Sequence, residues 1–349
     1  MKNRKTAIVI FFAGIVALLL SFSPGNDYFA ITAKDVELKI PKGFPKPGYD
    51  FKKNPLTPEK FVLGRKLFYD PILSLDSTIS CASCHQRIAA FAHIDHPISH
   101  GIYGLFGKRN VPALQNLIWK DAFMADGGVN NLEVQPVNPI TNPVEMNESL
   151  AHVVMKLKRN PVYVQLFATA YGDTLINSEH ILKALAQFTG LMISADSRYD
   201  KFTRGEDTLS AAEMRGLKLF RAKCADCHRE PLFTDNSYSS NGIAPDTSLH
   251  DAGRMAITGV ASDEYKYKVP SLRNIAMTYP YMHDGRFRSL QQVLDFYAAG
   301  KYFTANADPR LKKSAGMTSD EKSDIIAFLQ TLTDKTFLYD RRFADPNMQ

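Results

Sequence analysis

Cys81-Ala82-Ser83-Cys84-His85 and Cys224-Ala225-Asp226-Cys227-His228 are two C-x-x-C-H stretches, and together they use all four cysteines of the 349-residue chain. The pattern is that of covalent c-type haem attachment: two thiols add to the porphyrin and the adjacent His reaches the iron. A single C-x-x-C would also suit a redox dithiol or half of a zinc site. Two copies, each closed by His and leaving no cysteine over, point to two covalent haems held by Cys81, Cys84, His85 and by Cys224, Cys227, His228.

Outward from the motifs, each is preceded by the same kind of phrase, Gly64-Arg65-Lys66-Leu67-Phe68 and Gly216-Leu217-Lys218-Leu219-Phe220. That placement reads as an internal repeat, and hence as two lobes related by duplication. Thr57-Pro58-Glu59 opens the first helix, with Thr as N-cap and Pro at the first helical position. Ser210-Ala211-Ala212-Glu213 opens its counterpart as a capping box. Between them the apolar spacing predicts helices over 147–159 and 162–171, and a third from Ser178 to Met192. Ser289 and Gln292 cap a further helix that ends near Gly300.

Residues 27–54 read as an extended strap, and 87–135, with glycines at 101, 104, 107, 127 and 128, as a long functional loop region beside a haem. Nothing reads as a long strand. The expected class is all-α: two cytochrome c-like haem lobes with extensive irregular loops, over 45–203 and 204–335, meeting at the polar stretch 196–207.

Composition agrees with a globular chain, at 45% hydrophobic and 22% charged residues. The net charge of +6 comes without a dense basic run beyond the first five residues, which gives no reason to expect nucleic acid. Residues 1–24 begin with Lys2, Arg4 and Lys5 and run apolar to Leu20, a secretory pattern too short for a comfortable membrane span. The expectation is export to the periplasm, with an uncleaved membrane anchor as the alternative.

In order along the chain, Cys81–His85, Gly107-Lys108-Arg109-Asn110-Val111-Pro112, Asn142-Pro143-Val144-Glu145-Met146, Cys224–His228, Val269-Pro270-Ser271-Leu272-Arg273-Asn274 and Tyr281-Met282-His283-Asp284-Gly285 resemble the phrases of the bacterial di-haem cytochrome c peroxidases, a family that includes the MauG-type protein-oxidising enzymes. The resemblance implies that the haem on His85 meets peroxide and that the haem on His228 receives and relays electrons. It places Gln135 and Glu145 over the open face of the first haem. A carboxylate there can move a proton between the peroxide oxygens while an amide holds the leaving water.

Tyr297, fourteen residues after His283, falls where the peroxidases carry a Met ligand to the second haem and the MauG branch carries Tyr. A phenolate stabilises ferric iron, whereas a thioether favours ferrous iron. Met282 is the rival ligand. The resemblance further suggests His100 as a distal cap for the first haem, with His93 and His96 close by, and a calcium ion held by Asn110, Thr278 and Pro280.

One departure is the bridge between the haems. Where the family has Trp, this chain reads Ala122-Phe123-Met124-Ala125, and its single Trp is Trp119. Either Trp119 reaches over by another path, or Met124, Phe123 or no aromatic side chain serves. The expected partners are hydrogen peroxide and a small cytochrome c or cupredoxin as electron donor, with a homodimer as the family's usual assembly. The expected activity is peroxide reduction. The alternatives are MauG-like oxidation of a partner protein and non-enzymatic electron carriage.

Overall fold

The Thr57 side chain accepts a hydrogen bond from the Lys60 amide and starts α1 (Pro58–Tyr69), the helix that leads to the first motif. The computed structural model describes residues 31–347, so the basic and apolar stretch read as an export signal lies outside the described residues. The other helices of nine or more residues among those described are α2 (Leu150–Lys158), α3 (Pro161–Tyr171), α4 (Ser178–Gly190), α5 (Ala211–Lys223), α6 (Leu290–Ala299) and α7 (Ser319–Gln330). The only strands among the described residues are Tyr238–Ser239 and Tyr267–Lys268, paired antiparallel. The rest is turns and coil, and the all-α expectation stands.

One helix start differs from the sequence reading, for a local reason. α2 begins at Leu150 and not at Asn147, because Asn147 is left-handed (φ 49°) and Ser149 takes the cap by accepting from the His152 amide. α4 starts at Ser178 as expected, with Asn177 as its cap, and ends at Gly190, two residues short of Met192. The capping boxes at Ser210/Glu213 and Ser289/Gln292 form as expected.

The repeated phrase marks a helix crossing. α1 packs on α4 and α5 packs on α7. A Cβ on Gly64 would sit 2.0 Å from the Ala184 carbonyl oxygen, and one on Gly216 would sit 1.9 Å from that of Asp324. Only glycine lets two helix backbones approach this closely. The aromatic residues follow the same rule. Phe68 meets Phe188 at 5.1 Å between centroids and Phe91 at 5.9 Å; Phe220 meets Phe328 at 5.1 Å and Phe233 at 5.6 Å. Offset and edge-on pairs of this kind add to the burial of the rings.

Two apolar cores result, one around Phe61, Phe68, Phe91 and Phe188, the other around Phe220, Phe233 and Phe328. The C-terminal residues Phe337, Leu338 and Phe343 return to the first core. Between the cores, fully buried Arg273 holds Asp200 through two hydrogen bonds of 2.8 Å and donates to the Pro231 carbonyl. Asn274, also buried and left-handed (φ 57°), reaches Gln115 and Ser194. Asn116 is its counterpart in the first half, with φ 56° and bonds to Ser194.

Candidate di-haem site

The first motif is a single helical turn, Cys81–Cys84, fixed by a Ser80/Ser83 capping box. The second follows directly on α5, whose C-cap is Cys224. In each, the His is oriented by the loop that follows. His85 Nδ1 lies 2.7 Å from the Phe91 carbonyl oxygen, and His228 Nδ1 lies 3.3 Å and 3.1 Å from those of Phe233 and Pro270. A carbonyl only accepts, so Nδ1 carries the proton and Nε2 keeps its lone pair for a metal. Burial pushes His85 down to about 4, against the Phe91 carbonyl, and lowers His228 as well. Both imidazoles are therefore neutral near pH 7.

All four thiols are free. Burial raises Cys81 and Cys224 to about 12 and Cys84 and Cys227 to about 11. A cavity of about 880 Å³ is lined by Cys84, His85, Cys224, Cys227 and His228 together, with a side chamber of about 60 Å³ that reaches Cys81. That is the upper end of the size of ligand pockets. Unpaired thiols, two imidazoles with free Nε2 atoms and one large cavity fit two covalent haems.

The walls beyond the motifs differ between the halves. Glu145 and Gln135 line both the main cavity and the side chamber. Burial raises the Glu145 carboxyl, opposed by a 2.8 Å hydrogen bond from the Asn142 amide. Its backbone is clamped by Ile102, whose amide donates to the Glu145 carbonyl at 2.8 Å. Gly101 makes this approach possible, since a Cβ there would lie 2.3 Å from the Glu145 carbonyl oxygen. The Gln135 amide points at the Met124 sulfur, 3.8 Å away.

On the other side, Tyr297 lies in the last turn of α6 and faces the cavity with Asn241 and Met282. Burial pushes Tyr297 up to about 12, against a hydrogen bond from Asn241. The same Asn241 amide contacts the Met282 sulfur at 3.3 Å. The two candidate ligands thus meet at one side chain that the sequence did not single out. No motif marks Asn241; only the fold brings it to them.

Trp119 turns away from the cavity. Its ring packs on Phe44 at 5.2 Å and its Nε1 donates to the Pro45 carbonyl at 2.7 Å. Ala122, Phe123 and Met124 line the cavity instead. Of the alternatives for the bridge, the path through Trp119 is removed. His100 borders the side chamber, and its ring packs with His96 and His93 at 4.5 and 5.5 Å. Asn110, Thr278 and Pro280 all line the main cavity, and the Asn110 amide nitrogen is occupied by the Pro97 carbonyl, which leaves its oxygen free. Arg109 joins the two halves by bonding Asp126 at 2.5 Å and Asp251 at 2.7 Å.

These features define a c-type redox protein with two haem sites sharing one cavity. The sequence model of the family described as di-haem cytochrome c peroxidase matches residues 58–208. The methylamine utilization protein MauG of Methylorubrum extorquens is 37% identical, over 86% of this chain and 85% of its own length. The cytochrome c551 peroxidase of Nitrosomonas europaea is 32% identical, over 87% and 91%. A solved MauG-like protein associated with microbial copper homeostasis superposes with a TM-score of 0.82 at 33% identity, over 89% of this chain and 99% of that one. The chain belongs to the di-haem cytochrome c peroxidase family.

Proposed function

We propose that the protein is an exported, periplasmic peroxidase that reduces hydrogen peroxide to two waters with two electrons from a small cytochrome c or cupredoxin and two protons from solvent. The observation that carries this reading is the asymmetry of the shared cavity, with an acid, Glu145, on one side and a phenol, Tyr297, on the other. Haem, when bound at the two motifs, supplies the redox chemistry, held by His85 and His228 through Nε2.

Glu145 takes a proton from the near peroxide oxygen and delivers it to the far one, which leaves as water. Its burial raises its proton affinity toward the range where one carboxyl both accepts and donates. Gln135 holds the leaving oxygen with its amide N–H. Tyr297, not Met282, would hold the C-terminal haem iron through its phenol oxygen, which Asn241 positions. Phe123 and Met124 lie on the path between the two sites. Asn110 Oδ1 and the carbonyls of Thr278 and Pro280 form an oxygen set suited to calcium, with water completing it. Among the described residues no helix is long and apolar enough to cross a membrane.

A second reading, oxidation of residues on a partner protein, is favoured by Tyr297, the ligand type of the MauG branch. Steady-state peroxide consumption with reduced donor cytochromes separates the two. Sustained turnover supports the peroxidase; negligible turnover with every donor supports protein oxidation. A spectrum without a high-spin ferric component, unchanged by peroxide, would leave only electron carriage.

A further inference from the structure

Three histidines on the loop after the first motif converge, and one of them, His100, is the residue that the resemblance offers as a distal cap. His93 and His96 stack at 5.3 Å between centroids, and His100 meets His96 edge-on at 4.5 Å. One ring nitrogen from each can be chosen so that all three lie within 4.8 Å of one another. His93 is 2% exposed, and its Nδ1 has no hydrogen-bond partner. A buried ring nitrogen without a partner carries an uncompensated desolvation cost, which a ligand at that atom would remove. The Asp95 carboxylate stands 3.9 Å from His93 Nε2 and is held by the Gln86 amide.

The backbone fixes the arrangement. Gln86 and Ala92 pair immediately before His93, and His100 pairs with Phe106. At the apex the Asn110 amide donates to the Pro97 carbonyl at 2.8 Å, and Gly285 leaves room for the same carbonyl. Three imidazoles on a pinned loop are a donor set for borderline divalent metals and not for calcium or magnesium, which take oxygen ligands.

We propose that His93, His96 and His100 bind one divalent transition-metal ion of the zinc or copper(II) type, with the fourth position open to water. Metal–nitrogen bonds of about 2.0–2.1 Å in a tetrahedron set the nitrogens roughly 3.3 Å apart. The remaining closure falls to His96, the exposed member of the three. The ion ties down the loop that carries Phe91, whose carbonyl orients His85.

The test uses the haem-loaded protein, stripped with chelator and kept in excess calcium to fill oxygen-ligand sites. Titration with Zn2+ by calorimetry is expected to show one saturable equivalent. His96→Gln is expected to weaken it by more than the roughly 10–100-fold that loss of an outer-sphere partner costs. With Cu2+ as probe, the electron paramagnetic resonance signal is expected to carry nitrogen couplings that His96→Gln and His93→Gln reduce. No saturable binding, or His96→Gln binding Zn2+ as the parent does, overturns the proposal. If His93→Gln does not fold, the exposed His96 variant decides alone.

Discussion

The two halves share a frame and differ in what faces the cavity. Gly64 and Gly216 make the same helix crossing, Phe68 and Phe220 the same aromatic contact, and Asn116 and Asn274 the same left-handed turn. Even Met124 and Met282 correspond, each left-handed and each beside a side-chain amide, that of Gln135 or Asn241. Glu145 on one side and Tyr297 on the other are the divergence that bears on chemistry. A duplicated frame fixes where iron can be held; a handful of side chains decides what each iron does.

The largest effect should come from removing the acid that only the first half has. Glu145→Gln is expected to lower peroxide turnover about 10²–10⁴-fold, the usual contribution of a general acid–base group, with both haems still attached. In the parent, activity falls as pH drops through the raised Glu145 value, because the proton-accepting carboxylate is lost. That fall therefore begins at a higher pH than an unperturbed carboxyl would give. A pH–rate profile of parent and variant checks both points; a limb that survives in the variant would assign it elsewhere.

Next comes the junction between the halves. Asp200→Asn leaves the Arg273 guanidinium buried without its partner, and should cost about 3–5 kcal/mol in denaturant unfolding. Burial raises Asp200, but the Arg273 hydrogen bonds outweigh it and hold the carboxyl below its ordinary value. Its stabilisation is therefore present above the ordinary carboxylate pKa and is lost as pH falls through the lower folded value. Equal acid sensitivity in the variant would remove Asp200 from this role.

Smaller, and a direct probe of the shared frame, are Gly64→Ala and Gly216→Ala. Each drives a methyl into the facing helix backbone and should cost about 1–3 kcal/mol by thermal melting. Similar penalties support equivalence of the crossings; a cost in only one half would break it.

Most helix starts and both haem motifs are legible in the sequence, because caps and C-x-x-C-H are local patterns. The repeat extends beyond the phrases that precede the two motifs. Val111-Pro112-Ala113-Leu114-Gln115-Asn116 and Val269-Pro270-Ser271-Leu272-Arg273-Asn274 are visibly the same phrase, and they build the same turn twice. Other features could not be read. Trp119 is claimed by Phe44 and Pro45, some seventy residues earlier, and Asn241 reaches Tyr297 and Met282 only through tertiary folding. Long-range partners leave no periodic trace in the chain.

The most direct measurement is the electron paramagnetic resonance spectrum of the fully ferric protein beside Tyr297→Phe. The expected result is one high-spin centre with an open coordination position and one low-spin centre with His and Tyr ligands, only the second changing in the variant. Two low-spin centres, or a spectrum that Tyr297→Phe leaves unaltered, would contradict it.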